Sequence, residues 1–236
     1  MASSPDAALT RALLYPYLAL AFTLMVTVFH HRRLRRRFGE LGAVLLYFAL
    51  FFLLFLALPV VLILLTAADP AAFLRSLGLT CGRSGRGLAL AAVAVPLCLA
   101  AAFAGSRDPA MRDQYPFAKA ACRTPAVFAA YEAAYLVLYY LPWEFLYRGM
   151  LFLALLPALG LAPALALQAI ISTIHHFGHP DAEIWGALGA GFLFGLVAWA
   201  TGSFLYTVFI HALVGIANDA LLCRRWHRPG PPGSGR

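Results

Sequence analysis

Two ionisable residues, Glu144 and Arg148, interrupt "YYLPWEFLYRGMLFLALLP" (139–157), a stretch that is otherwise apolar or aromatic. A charged group in lipid costs at least about 2.5–3.5 kcal/mol, so such groups face a bundle interior and find partners. The acid precedes the base by four residues, the favourable order for a helical side-chain pair, and the two can neutralise each other. Taken alone they could be no more than an ion pair that locks the bundle. Further along, "STIHHFGHP" supplies His175, His176 and His179, and "FIHALVGIANDALL" supplies His211, Asn218 and Asp219. Helix positions seven apart lie nearly one above the other, so His211 and Asn218 share a face while Asp219 is turned about 80° away. One carboxylate and imidazoles from two later segments are the parts needed for hydrolysis. The acid takes a proton from water, one imidazole holds that water, and another donor steadies the oxyanion.

The same set raises the question of a metal. Two histidines and a glutamate match the ligand count of a catalytic zinc site. The "HEXXH" spacing is absent, and Gly178 and Pro180 interrupt any helix that would align His175 with His179. A divalent metal such as zinc therefore stays open on the sequence.

The elements that must carry these residues follow from hydropathy. The chain has 236 residues, 62% hydrophobic and 12% charged, about half the charged fraction of an ordinary soluble domain. A crossing of the hydrocarbon core needs about 20 apolar residues. Candidate spans lie near 13–29, 41–65, 88–104, 162–176, 184–200 and 203–222. The stretch 126–159 is too long for one upright helix, and Pro142, Pro157 and the polar Glu132 predict a tilted, kinked or two-part element. The fold class is thus all-α, a polytopic membrane bundle of about seven to eight transmembrane helices. A single transmembrane domain is expected over 1–223, with a disordered basic tail over 224–236. "TAADPAAFLRSLGLTCGRSGRG" predicts a short surface helix followed by a Gly-rich turn. The first span leads straight into "HHRRLRRR" rather than a cleavage site, so it reads as retained.

Arg32, Arg33, Arg35, Arg36 and Arg37 flank the first span, and Arg224, Arg225 and Arg228 follow the last. With seven spans, the excess of positive charge places both clusters and the C-terminus in the cytoplasm. The formal net charge of +8 is then a matter of topology and of anionic lipid headgroups, and no nucleic-acid partner is expected. Cys81, Cys98, Cys122 and Cys223 show no CxxC spacing, so neither a disulfide nor a thiolate metal site is indicated.

"WEFLYRG", "HFGHP" and "HALVGIAND" on successive late spans resemble the three motifs of the CPBP family, intramembrane proteases related to type II CAAX prenyl endopeptidases and bacteriocin-processing proteins. The likeness covers roughly 126–223. It implies a helical bundle whose motif residues meet in a cavity, peptide-bond hydrolysis in a membrane protein or lipid-anchored peptide substrate, and a location in the plasma (inner) membrane of a bacterium. The family's usual first motif is EExxxR; here Arg148 and the second acid, Glu144, are in place, but the first acid position holds Trp143. The second motif maps onto His176 in preference to His175, and the third onto His211. The polar residue usual four positions later is Gly215, for which Asn218 or Asp219 could substitute. The expected site is therefore Glu144 as base, Arg148 orienting it, and His176 and His211 positioning water and oxyanion, with Asn218 and Asp219 in support. Glu183, just after "HP", is offered as a rim residue, with an interfacial solvated acid as the simpler reading. The alternatives are a non-catalytic scaffold or immunity-like protein of the same fold, favoured by Trp143, and a small-solute or proton-coupled transporter, disfavoured by the lack of a hydropathy repeat between the halves.

Overall fold

A computed structural model describes residues 5–226. The elements of the described residues are all helices, with no strand among them. The first helix, α1, spans Pro5–Thr27. The second, α2, runs from 31 to 66 and is kinked at Gly39, which separates its arginine-rich start from its apolar length. A short helix, α3 (Pro70–Ser76), is capped by the Asp69 carboxylate accepting from the Ala72 amide at 2.8 Å. Ser84–Gly105 forms α4 and Pro109–Gln114 forms α5. A long helical run, α6, covers 125–159. After it come α7 (Leu161–Ile174), α8 (Asp181–Thr201) and α9 (Leu205–Trp226).

Among the described residues, five helical stretches are long and apolar enough to cross a membrane: Ala8–Thr27, Arg33–Thr66, Ser84–Gly105, Asp181–Thr201 and Leu205–Arg225. The expectation of seven to eight counted two further segments. One is α7, which at fourteen residues is short. The other is α6, one continuous run rather than two, about 50 Å long at a helical rise. Two π-helical stretches, Leu136–Tyr140 and Phe145–Leu153, break its regularity on either side of Pro142 and Glu144. Such wide turns often mark functional sites within helices.

The rotation of α6 is set by an aromatic ladder. Tyr131, Tyr135, Tyr139, Trp143 and Tyr147 recur every four residues and so share one face. That face packs against α2, with Phe48 stacked on Tyr135 (ring centroids 4.5 Å apart) and Phe51 on Trp143 (5.9 Å). Glu144, one position beyond Trp143, is thereby turned about 100° away from α2. α7, α8, α4 and α9 complete the bundle on that side.

The ends of the helices meet in two groups. At one, the Arg83 amide donates to the Thr201 carbonyl and the Tyr206 hydroxyl to the Cys81 carbonyl. At the other, Arg225 donates to the Ser106 carbonyl at 2.6 Å and Arg35 to the Phe117 carbonyl. Here the sequence expectation about cysteines is overturned, because Cys122 and Cys223 form a disulfide. The two are 101 residues apart and become neighbours only when the turn at Lys119–Arg123 docks beside the end of α9, so no local spacing announces them. The tail expected from 224 also differs: α9 continues through Trp226, and the rest of that segment, with Arg228, lies outside the described residues.

Candidate active site

Glu144 is fully buried, and Arg148 is 3% exposed, its Nε 3.2 Å from Glu144 Oε2. The π-helical turn beginning at Phe145 widens the coil and brings positions four apart more nearly into line. Arg148 also reaches the Ala190 carbonyl at 3.5 Å and lies over the Phe194 ring at 5.2 Å, so α8 supports the guanidinium from the far side. The other oxygen of the acid, Glu144 Oε1, is 2.7 Å from His211 Nδ1 of α9. An ionised carboxylate only accepts, so this contact places the hydrogen on Nδ1 and leaves Nε2 for whatever His211 faces.

What His211 faces is a cavity of about 590 Å³, within the range of small-molecule and peptide pockets. Arg148, His176, His211, Asn218 and Asp219 all line it; Glu144 does not. The wall also includes Leu97 of α4, which is 63% exposed, so the cavity reaches the outside of the bundle between α4 and α8. Small residues at that seam, Ala101 and Gly105 of α4 with Gly186 and Ala190 of α8, leave the space.

His176 closes the cavity at the turn after α7. Its Nδ1 is 2.8 Å from the Ser172 carbonyl, which can only accept, so Nε2 is the acceptor. His175, its neighbour, also lines the cavity but is tied to α6: its Nδ1 lies 2.6 Å from the Tyr147 hydroxyl. Trp143 stands among the imidazoles, with ring centroids 4.9 Å from His175, 5.0 Å from His176 and 6.3 Å from His211. The indole thus occupies the centre of the site, in the position where an acid would otherwise be.

Asn218 and Asp219 lie two turns along α9 from His211. Asn218 donates to Asp219 at 3.3 Å, and Asp219 is buried beside Glu132 of α6. They share the cavity with His211 but make no hydrogen bond to Glu144, Arg148, His176 or His211.

Three more side chains complete the wall: Glu183, which the sequence offers as a rim residue, and Tyr115 and Tyr140, which it does not single out. Glu183, in the first turn of α8, accepts from the Tyr115 hydroxyl at 2.5 Å and from His179 Nδ1 at 2.8 Å. Burial, reinforced by the Glu183 charge, holds the Tyr115 hydroxyl well above the usual tyrosine range, so it stays protonated and remains the donor. Tyr140 packs against His211 with its ring tilted 51° and centroids 4.7 Å apart. A Cβ at position 215 would sit 1.8 Å from its hydroxyl, so Gly215 is what admits the phenol beside α9. The signals that could have found these residues were the four-residue step from His179 to Glu183 and the glycine one turn after His211.

A zinc site needs three protein ligands converging on one point. Among the described residues no group of three His, Cys, Asp or Glu side chains is so disposed. Among the described residues the donor set therefore does not fit the metal raised by the sequence.

Residues 125–217 match the model of the family described as Type II CAAX prenyl endopeptidase Rce1-like. The match covers this segment alone, under half of the chain, and is a likeness to that family. The segment contains Glu144, Arg148, His176, Glu183 and His211, with Trp143 at the first acid position of a divergent WExxxR motif; Asn218 and Asp219 fall just beyond it. No curated protein and no solved structure matches the chain.

Proposed function

We propose that the protein is an intramembrane endopeptidase that hydrolyses a peptide bond in a membrane protein or lipid-anchored peptide. The observation that carries this is the chain Arg148–Glu144–His211, which ends on a cavity that His176 also lines. In this mechanism Glu144 acts from behind His211. Its negative charge fixes the ring through Nδ1–H; with a second proton on Nε2, His211 polarises the scissile carbonyl and receives the developing oxyanion. Arg148 holds the carboxylate in place. His176 presents an acceptor lone pair to the attacking water from across the cavity. The seam between α4 and α8 would admit an extended segment from the bilayer, with its polar backbone satisfied only once inside.

The basic end of the bundle, with Arg35, Lys119, Arg123 and Arg225, is the cytoplasmic end in this proposal and meets anionic headgroups there. Cys122–Cys223 lies at the same end, and disulfides are rare in the cytosol unless catalytic or redox-sensing. The two signals oppose each other, so a reporter fused after α9 is a direct check; cytoplasmic activity is the expected result.

A non-catalytic scaffold is the second reading, favoured by Trp143 filling the centre of the site. Profiling of new peptide termini in membranes with and without the protein separates the two. The peptidase gives wild-type-dependent termini that disappear in Glu144→Gln, in which the amide oxygen still accepts from His211. A scaffold gives none.

A further inference from the structure

If the site is hydrolytic, a group in contact with the water must take its proton, and Glu144 is sealed behind His211. The acids on the cavity wall are Glu183 and Asp219. Asp219 is held by Asn218 and lies beside Glu132 at the far end of the wall. Glu183 stands beside an imidazole of the site: its Oε1 is 3.8 Å from His176 Nε2. With the hydrogen of His176 on Nδ1, these two atoms are both acceptors. They are too far apart for a direct bond, and one water donating a hydrogen to each spans that gap. Its lone pairs would then point into the cavity.

The rest of Glu183's surroundings fit an ionised, aimed carboxylate. Tyr115 and His179 both bond to Oε1, fixing the side chain from the loop before α6 and from the turn before α8. Oε2 is buried and has no hydrogen-bond partner, as is true of Asp219 Oδ2, so each acid on the wall keeps an unmet acceptor and the contact with His176 is what distinguishes Glu183. A helix-capping acid would satisfy neither description, because Glu183 makes no bond to the free amides of its own helix. Opposite, the Tyr140 hydroxyl lies against Gly215, one turn from His211, and supplies a second O–H donor on the wall where the oxyanion would form.

We infer that Glu183, paired with His176, is the carboxylate that activates water in this protein, and that Tyr140 joins His211 in holding the oxyanion. The inference rests on the hydrolase proposal and assigns residues within it. Water oxygen bonds to the scissile carbonyl carbon as its proton passes to Glu183, and the carbonyl electron pair moves onto oxygen facing His211 and Tyr140. Collapse restores the carbonyl and breaks the C–N bond. The leaving amine takes the proton back from Glu183, which returns as carboxylate with one water consumed.

The test compares wild type, Glu144→Gln, Glu183→Gln, Glu183→Asp and Tyr140→Phe by profiling new peptide termini in membranes. Any cleaved peptide found is then assayed with the purified proteins in nanodiscs. Glu183→Gln is expected to lower kcat by about 100-fold or more, the usual worth of a positioned acid–base group, with KM within about threefold of wild type. Glu183→Asp keeps the charge while withdrawing it from the water and is expected to lose at least about tenfold, which covers the case in which the glutamine variant does not accumulate. Tyr140→Phe is expected to lose about tenfold or more in kcat. If Glu144→Gln is inactive while Glu183→Gln and Glu183→Asp cleave at the wild-type rate, the role of Glu183 is overturned and hydrolysis by the site stands. If wild type yields no new termini, hydrolysis and the assignment of Glu183 fall together.

Discussion

Two charged clusters flank the cavity and differ in how they meet it. Glu144 and Arg148 are sealed, 0% and 3% exposed, with each acid oxygen facing a named cation or imidazole. Glu183, His176 and His179 are 14–17% exposed and border the open space. A charge sealed in a low-dielectric interior is strongly held and orients its neighbours; of this pair only Arg148 reaches the cavity wall, and Glu144 cannot touch a substrate. A charge on the wall is held less tightly and can react. A site needs both, and here they come from different helices: the fixed pair from α6, the accessible acid from α8.

Removing the cation of the sealed pair should have the largest effect on stability. Arg148→Ala strands the Glu144 carboxylate and is expected to cost about 3–5 kcal/mol, read as a lowered unfolding midpoint in detergent. The double variant Glu144→Gln/Arg148→Met should recover most of that loss while remaining inactive, since the uncompensated charge is gone but His211 has lost its anion. A double variant as unstable as the single one would mean that the pair is not what holds this region. Reduction of Cys122–Cys223, or Cys223→Ser, is expected to cost about 2–4 kcal/mol by freeing a long loop, measured the same way. Gly215→Ala forces a methyl into the Tyr140 hydroxyl and should cost about 1–3 kcal/mol with a fall in cleavage; an unchanged midpoint would show that the phenol moves freely. The smallest change belongs to His175→Phe. That ring is turned to Tyr147, so cleavage should stay within about twofold of wild type, whereas His176→Phe should abolish it; equal losses would erase the distinction between the neighbours.

The helices were largely legible because a membrane span is a one-dimensional signal. Ser203–Leu222 was expected and Leu205–Trp226 is found; a surface helix after residue 66 was expected and Pro70–Ser76 is found. Glu144 and Arg148 were also visible, since charge inside apolar sequence has few explanations. The partners across helices were not. The pairing of Cys122 with Cys223, the fit of Tyr140 to Gly215 and the position of Glu183 on the cavity wall depend on how helices distant in sequence are rotated against one another. Glu183 beside Pro180 at a helix start looks like an ordinary interfacial acid. Only the docking of Tyr115 and the turn at His179 shows which way it points.

The central claim is that this cavity splits water across a peptide bond. The most direct measurement is cleavage by the purified protein in nanodiscs in ¹⁸O-labelled water, with mass spectrometry of the new carboxyl terminus. Label should enter each wild-type product and be missing from folded Glu144→Gln samples. Products without label, or labelled products made equally well by Glu144→Gln, would contradict it.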